Sequence, residues 1–381
     1  MSPVNDLIDY SNQIGIEITG IIEALPLAGL KSFLATRART GLRSPFENSS
    51  LSARIDPRLL LPGCQSIICL ALPYFIESSA PRSDNEGPCG KVARIARFRD
   101  YHEIAKNKAR LLVNFMGRLF PRSFQYRLLV DREPLMERAF AYQTDGIIGE
   151  NTFFISHRYG SWVILGLILL DIPLPAWPPT TRSRSCLECG RCRKACPTGA
   201  LYAPYLLDPR RCLSYVTQAR GVVPLSFRES LGSRIYGCDT CQEVCPLNKE
   251  IPPSPLKEIS AAVFDDHTPL IPLLGIDRRE FSRTFGQTAA GWRGIDLIRR
   301  NAIIALGNSR DHRGLKPLSD VFTRDPQPLI RLHAAWSIGQ LGGPEAERIL
   351  SRGLERETDQ RVQEEIRSAL QGKRGEPTST D

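Results

Sequence analysis

Apolar residues are distributed along this chain in two styles. Up to residue 171 they come as short unbroken runs set off by turn formers. Residues 66–74 (SIICLALPY) and 162–170 predict buried strands. Residues 126–130 predict a further buried strand, ending at Asp131, and 152–156 predict one more. Helical spacing predicts mostly helix over residues 1–50, a helix over 102–120, and another after Asp131 through Leu135, Ala139 and Tyr142. Residues 78–90 read as a surface loop. Residues 172–185 read as a proline-rich linker, and 251–256 mark a second boundary.

Beyond that boundary the apolar positions fall at i, i+4, i+7 and i+8, and the pattern repeats. Ile298-Arg299-Arg300-Asn301-Ala302, running on to Gly307, returns about 32 residues later as Ile330-Arg331-Leu332-His333-Ala334, running on to Gly339. Residues 362–370 carry a weaker third copy. This is the pattern of a short helical solenoid of the HEAT kind, which with three copies leans on the rest of the chain. Arg299, Arg300, Arg310, Arg313, Lys316 and Arg331 make it partly basic, either as a polyanion-binding surface or as ordinary solvated helix faces.

Between the two styles lies a cysteine-rich stretch. Cys186, Cys189, Cys192 and Cys196, followed by Pro197, match C-x2-C-x2-C-x3-C-P, the spacing of bacterial ferredoxins. Cys238, Cys241 and Cys245, followed by Pro246, match the last three positions of the same pattern. The missing first ligand would fall at Ile235, which cannot bind iron, and Cys212 is the natural replacement. In that pattern the fourth cysteine serves the other cluster. One 4Fe–4S cluster therefore takes Cys186, Cys189, Cys192 and Cys245, and the other Cys196, Cys212, Cys238 and Cys241. Two four-cysteine zinc sites are the competing use of C-x2-C pairs. The paired Cys-Pro endings and triple close spacing suit a cuboidal cluster better.

Eight cysteines at cluster spacing imply a reducing, cytoplasmic setting rather than disulfides. The N-terminus lacks a basic segment followed by an apolar one, so no signal peptide is expected, and 162–170 is too short to span a bilayer. The formal charge of +9 favours a polyanionic partner, nucleic acid before membrane. Cys64 and Cys69 fall in or beside an apolar run and read as small buried hydrophobes; Cys89 is unassigned. Two clusters form a one-electron wire, and residues 1–171 should hold what it reduces. No G-x-G-x-x-G, P-loop lysine or H-E-x-x-H stands there.

The whole chain resembles the epoxyqueuosine reductases, cobalamin-dependent enzymes of queuosine tRNA modification. The matching residues run in order through the sequence. They are Asp56-Pro57-Arg58 with Leu61-Pro62-Gly63, Ala93-Arg94 with Asp100-Tyr101-His102, and Val130-Asp131 with Pro134-Leu135. Gly149, Asn151-Thr152, Gly160-Ser161-Trp162 and Leu165-Gly166 follow. The eight cysteines, Gly237 to Gln242 around two of them, and Arg300-Asn301-Ala302 with Ala305-Leu306-Gly307-Asn308 complete the set. The resemblance implies an α+β multidomain protein. A cobalamin-binding α/β core would occupy 1–175, a ferredoxin-like double-cluster module 176–255, and HEAT-like helical repeats 256–381.

It also implies the reaction: epoxyqueuosine at the tRNA wobble position is reduced to queuosine, using cobalamin fed through two 4Fe–4S clusters. The partners implied are tRNA through its anticodon region and an unidentified electron donor, with no membrane and a monomeric protein. Asp131 matches the family's proton donor. By its position alone, between a strand and a helix, it would read as a helix N-cap. Arg54 and Ala96 match cobalamin-contact positions, and Thr152 and Leu165 lie in segments that line the pocket. His102 sits in a sequence close to D-x-H-x-x-G but without the glycine, and is expected to be structural. Phe98, Arg132-Glu133 and Glu150 depart from residues many members carry and leave room for a divergent substrate. Two other readings are a reductive-dehalogenase-like corrinoid enzyme acting on a small molecule, and a non-catalytic iron–sulfur electron-transfer protein.

Overall fold

The computed structural model describes residues 3–77, 87–120, 122–177, 185–264 and 267–372. Much of the predicted loop at 78–90 and of the linker at 172–185 lies outside them. The first part of the chain forms α1 (Pro3–Gln13), β1 (Glu17–Glu23), α2 (Lys31–Arg39), α3 (Leu51–Ile55), β2 (Ser66–Pro73), β3 (Cys89–Val92), α4 (Tyr101–Leu119), β4 (Tyr126–Leu129) and α5 (Glu137–Ala141). Then come β5 (Ile147–Ile148), β6 (Phe154–Ile155), β7 (Val163–Leu170), α6 (Arg191–Lys194), α7 (Leu213–Val216), α8 (Leu225–Leu231), β8 (Arg234–Tyr236), α9 (Thr240–Glu243) and α10 (Lys257–Ser260). The last part holds β9 (Thr268–Pro269), α11 (Leu270–Leu274), α12 (Arg278–Arg283), α13 (Ile295–Asn308), α14 (Leu315–Arg324), α15 (Pro328–Leu341), α16 (Pro344–Leu354) and α17 (Gln360–Gln371). No helix among the described residues is long and apolar enough to cross a membrane.

The chain forms two compact units, each assembled from separated segments. One comprises Met1–Glu77, Phe98–Cys212 and Asp239–Ala262; the other Ser78–Arg97, Leu213–Cys238 and Val263–Asp381.

The first unit is organised on an antiparallel sheet of order β1-β2-β7-β4. All eight residues of β2 are buried, and β7 is buried but for Leu165. A central strand covered on both faces reads as a continuous apolar run, which is why these two were legible. Cys69 is opposite Leu167 in this register, and both lie in a core with Cys64, Ile67, Leu135 and Phe140. Burial pushes both thiols up, as expected of structural cysteines.

Three strand and helix expectations need correction. Residues 17–23 are a strand, not helix, because β1 closes one side of the sheet against β2. Residues 126–130 give an edge strand rather than a buried one: Tyr126 is 44% exposed and only Leu129 within the strand is buried. Of 152–156, only Phe154 and Ile155 form a strand, paired with β5, and Ser156 makes an isolated bridge to Gly160.

The second unit joins a small sheet of order β8-β3-β9 to the C-terminal helices. Val92, Ile235, Leu270, Ile298, Leu306, Ile330, Ile338 and Ile366 share one core. Helices α13, α15 and α17 carry the three sequence repeats. A Cβ on Gly307 would come within 2.8 Å of the Ser337 backbone, so the repeated glycine permits close packing of α13 on α15.

Of the basic residues singled out here, Arg299, Arg300 and Arg331 are turned inward, while Arg310, Arg313 and Lys316 are exposed. Arg300 is 1% exposed. Its guanidinium donates to the carbonyls of Ala219 (2.6 Å), Gly221 (2.8 Å), Val216 (3.3 Å) and Thr217 (3.4 Å) and to Asn301 Oδ1. Asn301 donates to the carbonyls of Thr217 and Ile235 at 2.8 and 2.7 Å. Together they fasten the 216–221 turn and β8 to α13, and β8 leads straight to Cys238. Arg331 forms a two-bond pair with Glu357, both at 2.7 Å, and Arg299 pairs with Asp325. Arg313 and Lys316 pair with Asp311 and Asp320, and Arg310 donates to the Gln340 carbonyl. The helical arginines were read as surface because helical spacing shows which face is apolar but not which charges face one another across helices.

Candidate functional site

Two loops of the first unit bring the predicted ligands together. Gly190 has φ +65° and opens α6, a turn that lets Cys189 and Cys192 point to one side. Cys186, Cys189, Cys192 and Cys245 line a single small cavity of about 20 Å³ with Gly149, Glu150 and Asn151. Cys245 is thus brought beside the first three cysteines of the first motif. Burial pushes the Cys192 and Cys245 thiols up, and neighbouring thiols raise both further, with Cys186 acting on each. Such crowding of sulfur charges is relieved by a cationic iron core.

The neighbouring ligand loop is laced independently. Thr198 Oγ1 donates to the Arg211 carbonyl and Arg211 Nη2 to the Thr198 carbonyl, both at 2.6 Å, while Asp208 N–H donates to Ala200. These bonds hold the segment ending at Cys212 against the turn after Cys196. Although burial acts the other way, the N–H groups of Leu201, Thr198 and Ala200 bring the Cys196 thiol below its usual range. Asn151 Nδ2 donates to the Cys241 carbonyl at 3.3 Å. Cys238 ends the middle segment of the second unit and packs against a cluster that includes Leu213 and Val216. Ile235, at the vacant ligand position, is fully buried on β8.

Asp131 lies where β4 gives way to α5. Its backbone has φ +59°, and the next helix, α5, has Met136 at its N-cap position. The N-cap role is therefore excluded: the backbone must turn left-handed at Asp131, six residues before that helix begins. The turn is held by carboxylates. Glu137 Oε1 accepts the Asp131 N–H at 2.8 Å, and Glu133 Oε2 accepts the Val130 N–H at 3.0 Å. The Tyr101 hydroxyl donates to Asp131 Oδ2 in a short bond. Tyr101 stacks on His102, whose Nδ1 lies 2.6 Å from the Asp100 carboxylate, itself paired to Arg132. His102 is thus structural, and Asp100, read in the sequence only as part of a family match, caps α4.

Glu137 was also missed. Burial, with Asp131 and Glu133 adding to it, pushes its carboxyl up to about 7. A carboxyl raised in the folded state contributes stability below its unfolded value near 4.5, lost as pH rises through about 7. Glu137→Gln keeps the acceptor oxygen and removes that dependence. Between pH 5 and 8 the variant should lose about 2 kcal/mol less stability than the parent, allowing for partial solvent screening. Anaerobic denaturant titration at several pH values checks this, and parallel pH profiles would contradict it.

The other expected site residues stand as follows. Arg54 is buried and pairs with Glu47 at 2.8 Å; its carbonyl accepts the Met136 N–H, tying α3 to the Asp131 loop. Thr152 has φ +68°, and its carbonyl accepts Arg138 Nη1 at 2.6 Å. The same unit exposes the rings of Phe46, Tyr142 and Phe153. Leu165 packs beside Ala71, Ala141 and Phe154. Ala96 belongs to the second unit, its methyl fully buried in that unit's core.

Fold and site define a class: an iron–sulfur protein with a paired ferredoxin-type cysteine module and helical repeats. A 4Fe–4S double cluster binding domain model matches residues 185–248, and a HEAT repeat model residues 296–371. A model described as epoxyqueuosine reductase QueG, DUF1730, matches residues 54–132. The epoxyqueuosine reductase of Bacillus subtilis (strain 168) is 36% identical over 376 residues, covering 96% of this chain and 95% of that one. That of Listeria monocytogenes is 37% identical over 371 residues, 95% of each. A crystal structure of epoxyqueuosine reductase with a tRNA-Tyr epoxyqueuosine-modified stem loop superposes with a TM-score of 0.89 at 36% identity, covering 97% of this chain and 98% of that one. The Streptococcus thermophilus enzyme does so at 0.88 and 28%, covering 98% and 100%. The chain belongs to the epoxyqueuosine reductase family.

Proposed function

We propose that this chain is an oxidoreductase that reduces epoxyqueuosine to queuosine at the wobble position of tRNA. The observation that carries the reading is the union, in one chain, of the double-cluster cysteine module with a buttressed Asp131 loop. Near-full-length relatives named for the reaction support it, as does the solved neighbour that holds a modified tRNA stem loop. On this reading 1–175 serves as the cofactor-binding catalytic segment, 176–255 as the electron-transfer segment, and 256–381 as the tRNA-binding segment. The partners are the anticodon region of tRNA and a low-potential one-electron donor, and the protein works as a cytoplasmic monomer.

Opening the epoxide to an alkene consumes two electrons and two protons and releases water. The eight cysteines hold two 4Fe–4S clusters in the crossed assignment, which carry one electron at a time. Cobalamin, when bound, supplies a low-valent cobalt centre. Arg54, Thr152 and Leu165 would meet it. The first unit also exposes the rings of Phe46, Tyr142 and Phe153, the kind of apolar surface a flat macrocycle would take. Asp131 holds the proton for the departing oxygen, and the Tyr101 hydroxyl fixes which carboxylate oxygen faces it.

Anaerobic incubation with cobalamin, a chemical reductant and epoxyqueuosine-containing tRNA, followed by nucleoside mass analysis, tests the proposal. Accumulated queuosine supports it. Unchanged epoxide despite bound corrinoid favours a small-molecule corrinoid enzyme, and absence of bound corrinoid favours a plain electron-transfer protein.

A further inference from the structure

Glu150 stands beside the first cysteine cage and takes no part in the reaction described above. It is 3% exposed and lines the same cavity as Cys186, Cys189, Cys192 and Cys245. Its backbone N–H donates to Cys186 Sγ at 3.4 Å. Its side chain then reaches over to the other arm of the loop, where Oε2 accepts the Gly190 N–H at 3.1 Å. Oε1 lies 3.6 Å from Arg193 Nη2, too long for a hydrogen bond, and Arg193 Nε is buried with no partner of its own. The carboxylate is therefore only partly neutralised. It also diverts the Gly190 N–H, a donor placed between two ligand cysteines, from any sulfur.

Reducing a 4Fe–4S cluster adds one negative charge to it, so a buried anion alongside opposes the electron and a buried cation favours it. We infer that Glu150 and Arg193 jointly set the reduction potential of the cluster held by Cys186, Cys189, Cys192 and Cys245. The carboxylate lowers it and the guanidinium restores part of the loss. The electron comes from the chain's low-potential one-electron donor, and no atom is transferred. A lowered potential makes the reduced cluster a stronger reductant toward its acceptor. This rests on the assignment of those four thiolates to one cluster.

The test is an anaerobic redox titration of the full chain carrying both clusters, read by electron paramagnetic resonance of the reduced state. Titanium(III) citrate serves as reductant, and a Cys189→Ser variant shows which signal belongs to this cluster. At the parent's midpoint, Glu150→Gln should raise the reduced-to-oxidised ratio of that signal about tenfold, which is about 59 mV for a one-electron couple. Arg193→Gln should shift it the opposite way, the double variant should return close to the parent, and the other cluster should not move in any of them. Loop loosening alone would not give opposite signs. Unmoved midpoints, or shifts of one sign in both single variants, overturn the inference while leaving the clusters in place. Should Glu150→Gln lose the cluster, the downward shift in Arg193→Gln still decides. A parent protein lacking the signal that Cys189→Ser removes would overturn the cluster assignment itself.

Discussion

Asp131→Asn is expected to bind iron and cobalamin as the parent does and to lose turnover by about 10²- to 10⁴-fold, the usual worth of a positioned proton donor. The substitution is close to isosteric. Its backbone N–H still meets Glu137, and its side-chain oxygen can still accept from Tyr101. What it lacks is a proton to give to the leaving oxygen. Visible spectra and iron content establish that the protein is intact, and single-turnover nucleoside analysis measures the loss. Full turnover would move the donor elsewhere, with Tyr101 and Glu137 the nearest candidates.

Arg300→Met should cost about 3–5 kcal/mol of stability, because removing one buried partner leaves several carbonyls without a donor. The apolar stem is retained, so the loss isolates the guanidinium, whose buried setting brings it down to about 10. Asn301 alone cannot hold the 216–221 turn and β8 together. The iron content should then fall toward about four per chain as Cys238 loses its placement, since each cluster carries four. Guanidinium titration followed by tryptophan fluorescence, with iron analysis on the same samples, checks both. A change below about 1 kcal/mol would mean that water satisfies those carbonyls. Arg300→Lys should rescue little, since an ammonium cannot fork to four acceptors.

What could be read from the sequence was whatever depends on local pattern. Strands β2 and β7 showed because both faces are covered, and the cysteine crossing followed from spacing, with Cys245 brought beside the first three cysteines of the first motif. The repeats showed through their period, and the structure supplied the reason for the glycine in them. Strand β1 was missed because a short edge element has a mixed pattern that helix shares. The buttresses of Asp131 were missed because a left-handed turn and two side-chain-to-backbone bonds leave no periodic trace. Arg300 looked like surface charge because carbonyls of a distant turn are invisible in sequence. Asp131 and the cobalamin contacts came from family resemblance alone.

The division of the chain into interleaved segments bears on how it is made. The first unit lacks Asp239–Ala262 until synthesis has passed residue 262, and the second lacks its helical layers until later still. Neither can close while the ribosome is still building the chain's middle. Nascent chains arrested short of residue 262 should therefore show an incomplete first unit to protease, and the first four-cysteine set is not available to iron until Cys245 has been made.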